Sequence, residues 1–251
     1  MRNERLVNAL LKAIFVVIAV IPILYFNQIK NVPIKAFIIG SGSWGIGLVF
    51  KMIFHQLIVV KLNKKKVPII YESITNGVIS GLFELFGAFV IIVVMLPKFI
   101  FDYNAIICFG LAIGSLETII VAFAGDNLLA GTTLEPSSIK LSQQLKNSEG
   151  IKYYTDNYML PIIERILATL IHISTRGMIF LAIITNNVFP FVVAFVVFII
   201  ADGLLGYYYM ISGRIRTSID LYRLYIYLFM LTIISSLYFF IRMDSYKDIV
   251  L

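Results

Sequence analysis

The sequence predicts an all-α fold, a polytopic transmembrane bundle of about seven helices, and three observations carry that prediction. Apolar residues make up 60% of the 251 residues, and the mean hydropathy is +0.93. A soluble domain averages about 45–50% apolar content, and one core could not hide this excess from water. Apolar runs of about twenty residues recur along the chain, the length needed to cross roughly 30 Å of hydrocarbon.

The spans follow in order. The first, near 6–28, comes after Arg2 and Arg5, yet it is as long as a full span and no small-residue cleavage site follows it. It reads as a retained helix rather than a cleaved signal peptide. The second lies near 36–60. The third and fourth, near 73–96 and 99–124, are almost continuous and join at Leu96-Pro97-Lys98. A polar stretch, 125–157, contains Leu134-Glu135-Pro136-Ser137-Ser138, a turn with helix-start character, and a short helix on the membrane surface or an unstructured loop both fit it. The last three spans lie near 158–184, 188–211 and 221–241. There is no internal repeat, so residues 1–251 read as a single integral membrane domain.

The charge of +7 belongs with this topology rather than with nucleic acid, which is not expected as a partner. With the N-terminus inside, cytoplasmic segments hold 13 Lys and Arg against 5 outside, which predicts a multi-pass protein of the cell (cytoplasmic) membrane with a cytoplasmic N-terminus. The single cysteine, Cys108, rules out a disulfide framework and a thiolate zinc cluster, and its apolar neighbours mark a buried residue.

The informative residues are the ionisable ones inside apolar spans. Lys51 and His55 fall in the second, Glu84 in the third, and Glu117 in the fourth. Glu164, Arg165, His172 and Arg176 fall in the fifth, and Asp202 in the sixth. Each costs at least about 2.5–3.5 kcal/mol at the bilayer centre unless paired or hydrated, so such residues face the bundle interior. Glu84, Glu117, His172 and Asp202 share one depth. On the fifth span Arg165, His172 and Arg176 lie within about 20° of one stripe, and Glu164 points roughly 80° away from His172. Ion pairs that only hold helices together explain any one of these residues. Taken together they point to a polar cavity of the kind used by ion relays, substrate pores and metal sites. Gly77, Gly81, Gly87, Gly110 and Gly114 allow close helix approach, and packing of the third span on the fourth would bring Glu84 to Glu117. The tyrosines at 207–209, 222, 225 and 227 read as an interfacial belt without chemistry.

Four segments in this order resemble the YhfC-type family of intramembrane metalloproteases, relatives of the CAAX-protease/bacteriocin-processing (CPBP) and PrsW groups. Gly81-Leu82-Phe83-Glu84-Leu85-Phe86-Gly87-Ala88 is similar to G-L-F-E-E-x-G-R, and Phe109 to Glu117 is similar to F-G-x-G-H-G-x-x-E. Glu164-Arg165-Ile166-Leu167-Ala168 followed by His172 resembles E-R-x-x-A-x-x-x-H, and Phe198 to Asp202 resembles H-x-x-x-D. The resemblance covers the third to sixth spans, a little over half of the chain. It implies one divalent metal, zinc in the family, held by Glu84, Glu117 and His172. It also implies Glu84 and Asp202 as catalytic carboxylates, with Glu164 and Arg165 in support, and a membrane protein or peptide as substrate or partner. His55 and Lys51, outside the matched segments, support the site if the second span faces the same cavity.

The sequence departs from the family at four positions. Leu85 replaces the second glutamate and Ala88 the arginine, while Ile113 and Phe198 replace two histidines. A catalytic zinc usually keeps three protein ligands, often two or three histidines, and an open water position. One imidazole with carboxylates suits Mg²⁺, Mn²⁺ or iron better. The expectation is therefore an intramembrane metalloprotease-like protein with a diverged or inactive site. Two alternatives stand beside it: a non-catalytic binding, immunity or assembly subunit, and a small transporter or the membrane subunit of one.

Overall fold

The computed structural model describes residues 2–30, 32, 34–59, 68–95, 102–124, 159–207 and 218–246. Among these residues there are seven helices and no strand. Helix α1 is Arg2–Gln28, and α2 is Ile34–Phe54 continued by a π turn, His55–Val59. Helix α3 runs through Ile69–Ser80, a π turn at Gly81–Leu85, and Phe86–Met95. Helices α4 to α7 are Tyr103–Ala124, Met159–Ile184, Phe189–Leu205 and Ser218–Asp244. Six of them are long and apolar enough to cross a membrane, and α6, also apolar, has 17 residues. At 1.5 Å per residue these 17 residues alone cover about 25 Å, most of the hydrocarbon thickness. The chain is a multi-pass helical membrane protein.

Helix ends match the sequence expectations to within a few residues; α6 continues as π-helical residues 206–207, and residues 208–211 of the expected span lie outside the described set. The polar stretch 125–157, for which a surface helix and a loop both fit, also lies outside the described residues. Local chemistry sets several ends. Asp102 caps α4, its Oδ1 accepting the Ala105 N–H at 2.7 Å. The turn from α5 to α6 is sharp because Asn186 takes a left-handed backbone (φ 48°), which asparagine tolerates, and the Asn187 N–H reaches back to the Ala182 carbonyl at 3.1 Å. Asn187 Oδ1 then receives the Phe189 N–H, and Pro190 fills the first turn of α6.

Helices α4 and α5 form the centre: each is 67% buried along its membrane-length window, against 11% for α1. Helix α4 packs on α1, α2 and α5, while α5 packs on α4, α6 and α7. Helix α6 packs on the first half of α3, and α2 packs on the second half. Apolar side chains such as Ile38, Phe86 and Ile234 point outward, as a lipid-facing surface requires.

The glycines decide which helices touch. A β-carbon at Gly110 would lie 2.5 Å from Ile173 Cα, and one at Gly114 would lie 2.7 Å from Thr169 Cα, so both glycines seat α4 on α5. Gly77 and Gly81 face α6, at Ile199 and Phe195, while Gly87 faces Ser43 of α2. The third span therefore does not pack its glycines on the fourth. Helix α2 meets both instead, with Gly40 against Phe109 and Gly47 against Phe83 and Glu84.

Gly110→Ala should destabilise the protein by about 1–3 kcal/mol, because its methyl group meets α5 backbone that cannot yield. Gly42→Ala, with nothing within 4 Å of the added carbon, should be neutral or slightly stabilising. Thermal unfolding in detergent measures the difference, and equal losses would contradict the packing described.

Candidate functional site

Five helices deliver charge to the bundle interior. Helix α3 widens into its π turn at Gly81–Leu85, which carries Glu84, and such turns recur at functional positions because the extra residue re-aims a side chain. Glu84 is 3% exposed, and both of its oxygens are engaged: Lys51 Nζ of α2 donates to Oε1 at 2.8 Å, and Arg176 Nη2 of α5 approaches Oε2 at 3.4 Å. Lys51 also donates to Asp202 Oδ2 of α6 at 2.9 Å. Arg176 is completely buried. Its Nη1 donates to Thr175 Oγ1 at 3.0 Å, and its guanidinium carbon lies 4.5 Å from the centre of the Phe198 ring. A guanidinium over an aromatic face is held by the ring quadrupole, and more firmly where water is excluded.

A second cluster joins α4, α5 and α7. Arg165 Nη1 donates to Glu117 Oε1 at 3.0 Å, and His172 Nε2 meets Glu117 Oε2 at 2.6 Å. An ionised carboxylate only accepts, so Nε2 carries the hydrogen of that bond. Arg165 Nη2 donates to Glu164 Oε1 at 2.6 Å, and the Tyr225 hydroxyl donates to Glu164 Oε2 at 2.9 Å. Phe198 touches both clusters, since its ring also lies 5.7 Å from that of His172.

The expected residues thus separate into two groups. Lys51, Glu84, Asp202 and Arg176 form one, and Glu117, Glu164, Arg165 and His172 form the other. The side chain of His55 lies outside the described set. Glu164 and His172, 80° apart on α5, border one cavity of about 30 Å³ with Glu117 and Asp202. Tyr225 departs from its expected role: it is buried and bonded to Glu164 rather than part of an interfacial belt. No sequence signal marked it, because a tyrosine near a helix end fits either place. Glu72 is a further buried carboxylate, on α3, that span counting passed over.

The four departures from the protease motifs have clear places. Leu85, Ala88 and Ile113 are fully buried apolar residues, and Phe198 is the ring beneath Arg176. As arranged, the carboxylates are paired with side-chain cations rather than turned toward a common point. Among the described residues no three His, Cys, Asp or Glu groups converge on a point. Lys51, Arg176 and Arg165 already occupy carboxylate oxygens that a divalent ion would need, and they would repel it.

Glu84→Leu should destabilise the protein by about 3–5 kcal/mol, because it leaves the fully buried Arg176 without its carboxylate and Lys51 with Asp202 alone in a low-dielectric interior. Denaturation in mild detergent reads this out, and a loss below about 1 kcal/mol, the range of a surface ion pair, would show that the pairs are solvated.

A comparison with known protein families, curated proteins and solved structures finds no match to this chain.

Proposed function

We propose that the chain is an intramembrane metalloprotease-like membrane protein whose polar centre has diverged from hydrolysis. On this reading it serves as the self-neutralised core of a non-catalytic binding or assembly subunit. One observation carries the reading: both oxygens of Glu84 and both oxygens of Glu117 are engaged by Lys51, Arg176, Arg165 and His172. Metal-assisted hydrolysis needs ligand atoms free to take the ion and an open position for water. It also needs a carboxylate free to accept a proton. Here each oxygen of the two glutamates that the family resemblance assigns to the metal is paired with a side-chain cation or an imidazole.

The lost motif positions support the same reading. Where the resemblance calls for histidines, Ile113 packs the α4 core and Phe198 holds Arg176 over its ring. Phe198 thus favours a fixed cation where a ligand nitrogen would favour a metal.

Metal analysis of protein purified without chelator should find well under one transition-metal ion per chain. Its unfolding midpoint should not move on adding EDTA or zinc. Stoichiometric zinc that is lost in both Glu117→Gln and His172→Ala would overturn the proposal.

A further inference from the structure

The cavity beside Glu117 has a one-sided chemistry. Its polar lining consists of Glu117 of α4, Glu164 and His172 of α5, and Asp202 of α6, and the rest of the lining is apolar. Lys51, Arg165, Arg176 and Tyr225, which donate to these carboxylates or to Glu84, are not part of that lining. His172 is 4% exposed, and its Nδ1 has no hydrogen-bond partner among the described residues. In the neutral imidazole with its hydrogen on Nε2, given to Glu117, Nδ1 presents a lone pair. Asp202 bonds Lys51 through Oδ2, and its Oδ1 makes no bond among the described residues. The lining therefore offers acceptors and no free donor.

An acceptor-only cavity selects an occupant that brings positive charge or only donors. A buried nitrogen left without a partner is costly, so such an occupant relieves a penalty the empty site carries. Size narrows the choice. A cavity of about 30 Å³ holds one or two water-sized bodies. Lys51 on Asp202 and Arg165 on Glu117 already place positive charge beside these carboxylates, which disfavours a divalent ion. A hard, singly charged ion that keeps a water molecule fits both limits.

We propose that the cavity between α5 and α6, walled by Glu117, Glu164, His172 and Asp202, binds a small monovalent cation such as sodium or ammonium. The side chain of Asp202 and the Nδ1 of His172 are its principal contacts. Binding needs no catalysis; it rests on the reading that no divalent metal is held by Glu117 and His172, since both wall this cavity.

The test uses the full chain in nanodiscs of zwitterionic lipid, with empty nanodiscs as the blank. The ²³Na resonance should broaden in the presence of protein, and ammonium but not choline should reverse the broadening. At constant ionic strength the unfolding midpoint should rise saturably as sodium replaces choline, as binding to the folded state alone demands. Asp202→Asn and His172→Phe should each weaken the apparent sodium affinity by about tenfold or more, the loss of one charged or well-aligned contact. Identical behaviour in sodium and choline would overturn the proposal, as would unchanged affinity in either folded variant. If neither variant folds, the sodium–choline comparison on the unmodified chain decides.

Discussion

A charge placed in hydrocarbon must be neutralised, and this constraint organises the interior of the bundle. Helix α5 carries two arginines, a glutamate and a histidine among buried positions, and none of them is tolerable on a lipid-facing surface. Their partners come from every side: Glu84 from α3, Glu117 from α4, and Tyr225 from α7. Lys51 from α2 ties Glu84 to Asp202 on α6. Helix α5 is accordingly both the packing centre and the electrostatic centre. Moving any of these helices outward would strand a charge, which fixes their register more firmly than apolar contact alone.

Short ion pairs need short distances between helices, and the glycines supply them. Gly110 and Gly114 let α4 lie against α5 closely enough for Glu117 to reach both Arg165 and His172. Gly47 lets α2 approach the π turn that carries Glu84, one helical turn from Lys51. Close packing and charge pairing are thus one design: small residues open the space, and the paired charges fill it.

The same geometry bears on the proposed divergence from a protease-like plan. Removing a metal from a cluster of buried carboxylates leaves unbalanced negative charge, which a membrane interior does not permit. Lysine and arginine neutralise the carboxylates here, and Phe198 gives Arg176 a face to rest on. Such an exchange keeps the helices together while closing the coordination sphere. The cavity next to Glu117 is the part of the polar centre that this internal neutralisation leaves open.

Much of the fold could be read from the chain alone, since span length, hydropathy and the depth of each buried charge depend only on local sequence. Those features determined an all-α, multi-pass bundle and singled out Lys51, Glu84, Glu117, Glu164, Arg165, His172 and Asp202 as interior groups. Pairing could not be read in this way. Which helix faces which depends on where each glycine stripe points after folding, so the expected meeting of Glu84 with Glu117 gave way to α2 packing against both of their helices. Tyr225 joined the interior for the same reason: nothing in its own neighbourhood distinguishes a membrane-interface tyrosine from one that bonds a glutamate on another helix. The sequence determined which charges must be buried, because burial follows from position along an apolar span. Only the tertiary structure decided their partners, because neutralisation is a contact between helices that the chain brings together from distant positions.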